Sequence, residues 1–309
     1  MIIKQSFFSI AGFLVPAIIL LLSFQLFSNL FSPGELSILL ILNTFAIIGT
    51  AFDLGLKLNL TKEIAIDINR KLPYLNTFFN YFLSILALSL LFSLILFFNK
   101  LFLLSYFNNL EIKSLNYAFS IFCIYFIIHH LSMCFMTFFE GMSDFKSSFY
   151  LKFFKAIFTN LFPLIVIYIS GEHNFVFFLK LTLLGHFLSL FYCFFVLFSR
   201  EGYNISQTNF YIFSIKKIQS VLKLSFHIFL NSLLGIMFMQ LINIYVFSNF
   251  ESQVSNIFKI TSMLLGYINQ FFASMFLVIL PIFSKEKYGV SKEKIFKAFL
   301  LNSILLVIK

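Results

Sequence analysis

The chain has 309 residues, of which 60% are hydrophobic and 11% charged, and a formal net charge of +10. A soluble domain carries about 25% charged residues, so that class is excluded. The basic excess is spread over separate short loops, which excludes a nucleic-acid surface, where the charge gathers on one face with aromatic platforms.

Eight long apolar stretches follow in chain order: Phe7–Phe31, Leu36–Leu56, Leu75–Phe98, Leu115–Phe139, Phe153–Ile169, Phe175–Phe198, Leu224–Phe247 and Ile260–Phe283. Each is close to the roughly 20 residues a helix needs to cross the hydrocarbon of a bilayer. Only helices or closed barrels satisfy backbone polar groups there. Continuous apolar runs, rather than alternating ten-residue segments, predict helices. The expected fold class is therefore all-α, a polytopic integral membrane protein. The first span, at 25 residues, is too long for the core of a cleavable signal.

The loops alternate in charge. Lys57–Lys71, Glu140–Lys155, Arg200–Lys223 and Lys285–Lys297 hold most of the basic residues, and Lys4 lies at the N-terminus. The opposite loops hold Lys100, Lys113 and Lys259. Basic loops stay in the cytoplasm, so the N-terminus is expected inside. Phe numbers 50 and Trp is absent. Codon bias accounts for most of that Phe, and interfacial anchoring falls to Tyr74, Tyr106, Tyr117 and Tyr288. Cys123, Cys134 and Cys193 lie within spans without metal spacing and read as core thiols. No metal or cofactor is expected.

On the second span Asn43, Ala46, Thr50, Asp53 and Lys57 recur at helical spacing, which puts them on one narrow face. Two readings stand: a cavity wall ending in an Asp53–Lys57 pair, or a small-residue helix contact with an interfacial ion pair. The first span carries Gln25 and Asn29, the seventh Asn231, Gln240 and Asn243, and the eighth Ser262, Gly266, Asn269 and Ala273. Lys180 lies five residues into the sixth span, either snorkelling to the interface or serving as a cavity cation. His129, His130 and His186 also sit within spans. Adjacent histidines point 100° apart on a helix, and buried hydrogen-bonded side chains are the expected role, with proton-relay or substrate roles as the alternative.

The stretch Ile3–Ala65 resembles the N-terminus of the Wzx-type O-antigen and capsular polysaccharide repeat-unit flippases, a branch of the MATE-like superfamily. The residues that carry the resemblance are the first span, the turn Ser32-Pro33-Gly34-Glu35, and Phe52-Asp53-Leu54-Gly55-Leu56 running into Thr61-Lys62-Glu63-Ile64-Ala65. Val278–Lys285, with Pro281 and Ser284, is similar to the end of that family's eighth helix. The resemblance implies a MATE-like two-lobe transporter whose first, second, seventh and eighth helices line a central cavity. Its cargo would be an undecaprenyl-diphosphate-linked oligosaccharide moved between leaflets for O-antigen or capsule (lipopolysaccharide) biosynthesis. The implied partners are that lipid-linked substrate, membrane lipids, and a polysaccharide polymerase and chain-length regulator. The substrate-cavity candidates are Asn43, Thr50, Asp53, Lys57, Lys180, Gln240, Asn243 and Asn269.

On this plan residues 1–199 form a lobe of six helices, residues 200–223 a cytoplasmic inter-lobe loop, and residues 224–309 an incomplete second lobe. The family has about twelve helices, whereas Ala298–Ile308 only begins a ninth. The chain thus reads as a fragment with its second lobe truncated, expected not to transport alone. A drug or organic-ion antiporter, a polytopic O-antigen polymerase or acyltransferase, and a structural subunit are the competing functions. No enzyme activity is expected, because the outer loops Ser32–Glu35 and Gly171–Asn174 are minimal.

The charge pattern makes a direct topological prediction. Reporter fusions at Asn69, Gly141, Ser206 and Tyr288 should report cytoplasm, and fusions at Asn108 and His173 periplasm. A periplasmic signal at Ser206 would overturn the six-helix lobe.

Overall fold

A computed structural model of the chain describes residues 2–51, 55–107, 112–206 and 238–277. These residues are helices and short connections. In order they are α1 (Ile2–Leu30), α2 (Pro33–Ala51), α3 (Leu56–Asn69), α4 (Tyr74–Leu104), α5 (Ile112–Gly141), α6 (Phe145–Ala156), a π turn (Ile157–Leu161), α7 (Phe162–Ser170) and α8 (Phe175–Ser206). Residues 238–249 form α9, and Ser252–Leu277 form α10. Among the described residues six stretches are long and apolar enough to cross a membrane: Gln5–Leu30, Pro33–Thr50, Tyr74–Lys100, Lys113–Gly141, Phe145–Ser170 and Phe175–Glu201. The protein is a multi-pass, all-α membrane protein.

Local chemistry sets the helix ends. The Ser32 N–H donates to Glu35 Oε2 at 2.8 Å, and Pro33 opens α2 where its missing N–H costs nothing. At the start of α6, Asp144 accepts the Ser147 N–H at 3.1 Å and the Ser147 hydroxyl at 2.6 Å. Gly171, at φ 69°, closes α7 in the left-handed conformation. Gly55, at φ 72°, is the left-handed residue that precedes α3.

Three boundaries differ from the sequence reading. The second span ends at Ala51 rather than Leu56, and the basic stretch after it folds into α3. That helix buries Leu56, Leu60, Ile64 and Ala65 against its neighbours, so it is a packed element rather than a loop. The fifth span starts at Phe145, not Phe153, because the Asp144 cap nucleates the helix two turns earlier. Lys152 and Lys155 are thereby drawn into the span. The eighth helix starts at Ser252, which moves Lys259 from an outer loop into a helix interior.

Packing is aromatic. One buried core gathers Phe27, Phe31, Phe119, Phe122, Phe126, Phe175 and Phe178, and a second gathers Phe78, Phe135, Phe138 and Phe139 around α3. Edge-on contacts dominate, as at Phe27–Phe178 (5.1 Å, 66°) and Phe82–Phe135 (5.7 Å, 76°). Along α5 the interval between the two cores holds the polar residues His129, His130 and Ser132 among aliphatic ones. Along α8, Thr182, His186 and Ser189 occupy the same interval. The two Phe cores therefore bracket a polar belt.

The belt is closed by an irregularity in the fifth span. Pro163 has no N–H to offer the carbonyl of Thr159, and the helix widens just before it into the π turn, where the Phe162 N–H reaches Ile157 O. The widened backbone presses on α8 at Gly185, where a Cβ would stand 1.9 Å from the Phe158 carbonyl oxygen. Gly185→Ala should therefore force α8 outward at a cost of about 1–3 kcal/mol, read as earlier thermal unfolding in detergent. Ser189→Ala, which removes a buried hydroxyl without a hydrogen-bond partner among the described residues, should leave the midpoint unchanged or raise it.

Candidate functional site

A cavity of about 360 Å³ opens between α1, α2, α5, the fifth span, α8 and α10. Its size lies in the usual range of small-molecule sites. Apolar side chains make most of its wall, including Phe13, Leu20, Phe24, Leu42 and Met133. Within that wall stand Asn43, Tyr125, His129, Lys152, Lys155, Thr159, Asn160, Thr182, His186 and Tyr267. Pro16 in α1 also borders the cavity, and its missing N–H leaves the Gly12 carbonyl without a helical donor. The π turn brings both Thr159 and Asn160 to the wall, although consecutive residues of a regular α-helix point 100° apart.

The two cavity-lining cations of α6 differ in their partners. Lys152 Nζ lies 2.7 Å from Glu140 Oε1 and 4.1 Å above the Phe13 ring, and the Ser148 hydroxyl donates to the same Glu140 oxygen at 3.0 Å. Its charge is thus locally neutralised. Lys155 is 8% exposed, and its ammonium donates to the His129 carbonyl at 3.3 Å. No carboxylate lies within ion-pair distance of Lys155 among the described residues. It is the eleventh residue of the span that starts at Phe145, about 15 Å along it. An ammonium there is costly unless a counter-charge or hydrated cavity meets it.

Three histidines surround this cation. The Tyr125 and His186 rings stack at 4.8 Å and 13°, and the His129 and His186 centroids are 6.0 Å apart. His130, next along α5, turns the other way and places Nδ1 3.2 Å from Lys57 Nζ. Nδ1 of His186 and Oδ1 of Asn43 are buried and without a hydrogen-bond partner among the described residues. The cavity therefore offers an uncompensated cation, two imidazoles and an amide.

The sequence candidates divide. Asn43 and Ala46 face the cavity. Thr50 bonds its own helix at the Ile47 carbonyl, 2.6 Å away. Lys57 lies on α3, beyond the break at Gly55, so the stripe does not continue to it. Asp53 and Asn231 lie outside the described residues, as does the side chain of Asn269. Lys180 is exposed on α8 and does not line the cavity, and Gln25 and Asn29 are likewise exposed on α1. Gln240 and Asn243 meet each other at 2.9 Å, and Lys259, 1% exposed, donates to Gln240 Oε1 at 3.1 Å. Those three tie α9 to α10. Sequence reasoning missed Lys155 as a cavity group, and its signal was the spacing of Ser148, Lys152, Lys155 and Thr159 on one helical face.

A family model described as polysaccharide biosynthesis protein matches residues 2–287. No curated protein matches the chain. Solved structures share the fold. The MATE multidrug transporter DinF-BH is 14% identical, with a TM-score of 0.75 over 97% of this chain and 68% of that one. An outward-facing multidrug resistance MATE family transporter of the MOP superfamily is 15% identical, with a TM-score of 0.70 over 97% and 67%. A MOP superfamily transporter from Pyrococcus furiosus, described by the reverse polarity of its binding pocket, is 16% identical, with a TM-score of 0.67 over 97% and 67%.

The Lys152–Glu140 contact yields a stability prediction. Glu140→Gln strands the Lys152 ammonium and should destabilise the protein by about 3 kcal/mol. Adding Lys152→Met should recover most of that loss in thermal unfolding. Additive losses in the double variant would show that the two side chains are not coupled.

Proposed function

The chain belongs to the polysaccharide biosynthesis protein family, and from that premise we propose that it is a flippase for lipid-linked oligosaccharide repeat units. The cargo is an oligosaccharide joined to a polyprenyl lipid by a diphosphate. The observation that carries this reading is Lys155, a buried cation on the cavity wall without a carboxylate partner among the described residues. A diphosphate supplies the missing counter-charge. Asn43, Asn160, Thr159 and Thr182 offer hydroxyls and amides of the kind that pair with sugar hydroxyls, and apolar walls flank them. The lipid tail stays in the bilayer, so only the polar head needs a hydrated path.

The first six spans make one lobe on this reading, and α9 and α10 begin a second that rocks against it. The N-terminus and the basic loops face the cytoplasm of a bacterial inner membrane, and cargo moves from the cytoplasmic to the periplasmic leaflet. Asn43 belongs to the substrate wall on this reading, and Asp53 and Lys57 follow it in sequence toward the basic stretch assigned to the cytoplasm. Polymerase and chain-length regulator are the protein partners that would take the cargo onward.

The test is complementation by the full gene product in a strain that lacks its repeat-unit flippase and keeps the matching glycan pathway. Lys155→Gln removes a charged hydrogen bond worth about 1.5–3 kcal/mol, so cargo affinity should fall about tenfold to a hundredfold and surface polysaccharide should drop with it. Lys180→Gln, on the exposed face of α8, should display polysaccharide normally. Equal display by both variants at equal expression would remove Lys155 from the cargo site.

A further inference from the structure

We infer that the cavity binds a proton together with its anionic cargo, and that the His129–His186 pair accepts it. The inference rests on the anionic-cargo reading and adds a second transported species to it.

The argument starts from charge. His129 and His186 belong to different helices, α5 and α8, yet their rings come within 6.0 Å on one cavity wall. His186 is 6% exposed and its Nδ1 has no hydrogen-bond partner among the described residues. That nitrogen is free either to accept a proton or, once protonated, to donate one. An unmade hydrogen bond in a dry site is costly, and His130 Nε2, also without a partner among the described residues, does not belong to the cavity wall.

The surrounding groups decide when a proton can stay. On α5 itself the pair meets Tyr125, stacked on His186, and His130, which is turned toward Lys57 of α3. From α6 it meets Lys155. Lys152 of α6 is already matched by Glu140. Tyr267 comes from α10. The charged residue of α2 is Glu35, bonded to Ser32 at the helix start, and that of α4 is Lys100, near the far end of that helix. Neither α7 nor the π turn carries a charge. On α8, Lys180 is exposed, and Arg200 and Glu201 lie at the basic end.

No carboxylate among the described side chains therefore faces the pair. A proton added to the empty cavity would be a second uncompensated positive charge beside Lys155. A bound diphosphate carries two negative charges, of which Lys155 balances one. The imidazole pair is placed to balance the other, so anion and proton bind together and each favours the other. Net charge in the loaded cavity is then near zero, which lowers the cost of carrying it through the hydrocarbon.

The direct test is calorimetry on the full gene product in lipid nanodiscs, with UDP-glucose as probe. Its diphosphate is a diester joined to a sugar and exchanges no proton near neutral pH, so any proton taken up belongs to the protein. Titrations in two buffers of unlike ionisation heat count those protons. About one proton should be taken up per molecule bound, and the Kd should rise about tenfold per pH unit on the alkaline side. The double variant His129→Gln, His186→Gln should still bind, with the proton uptake and the pH slope lost. Lys155→Gln should bind more weakly at every pH.

Binding by the unaltered protein with equal heats in both buffers would overturn the proton site while leaving the anion site standing, and it requires no variant to fold. Uptake that persists in the double histidine variant would overturn the assignment to the pair. No binding by the unaltered protein would overturn the anionic-cargo reading and this proposal with it.

Discussion

A polar group inside a bilayer must be paired or must face water in a cavity, and the architecture of this chain follows from how it meets that rule. Most of its intramembrane polar groups are paired within their own helix. The Thr44, Ser132 and Thr182 hydroxyls each donate to the carbonyl one turn earlier. Lys152 has Glu140, and Lys259 has Gln240. These pairings leave over Tyr81, Asn116, His130 and Ser189, each with a buried polar atom that has no hydrogen-bond partner among the described residues, and a second group, Lys155, His129, His186 and Asn43, that lines one cavity.

The aromatic cores explain why the cavity-lining groups stay together. Phe side chains pack edge to face above and below the belt, and each core joins residues of several helices. Shifting α5 or α8 by one turn along its axis would carry histidines into a Phe cluster and Phe into the belt. Both moves are penalised, one by an unpaired polar group and the other by lost ring contacts. The registration of α5 against α8 is thus fixed by chemistry at both ends, with Gly185 and the π turn setting how closely the fifth and sixth spans approach. Stability and cavity shape draw on the same contacts here, since the wall that packs the helices is also the wall that shapes the cavity.

The spans were legible because apolar length is a strong signal in a membrane protein, and the first, third, fourth and sixth were placed within a few residues. The starts of the fifth and eighth spans were hidden by charge, while the start of the seventh, at Leu224, lies outside the described residues. Lys152 and Lys155 make Phe145–Ala156 read as a loop, whereas the Asp144 cap and the buried face of Ser148, Leu151 and Lys155 make it the start of a span. Lys259 misled in the same way. A lysine is taken for a loop residue unless its partner is known, and Gln240 lies 19 residues earlier. The amide stripe of the second span was half legible: Asn43 and Ala46 reach the cavity, but the left-handed Gly55 breaks the helix before Lys57. The meeting of His129 with His186 could not be read at all, because it depends on the registration of two helices distant in sequence.

The sign of the cavity bears on the choice between an anionic and a cationic cargo. The solved structures that share this fold include multidrug transporters, and fold alone does not carry substrate. A cation 4 Å from Lys155 would be repelled by about 4 kcal/mol at the effective dielectric typical of protein sites, close to a thousandfold in affinity. No described carboxylate on the cavity wall offsets that repulsion, since Glu140 is engaged by Lys152 and Ser148. The same term works in favour of a diphosphate. A drug or organic-cation antiporter would therefore have to neutralise Lys155 before binding its cargo, whereas a diphosphate-linked sugar meets the charge it lacks.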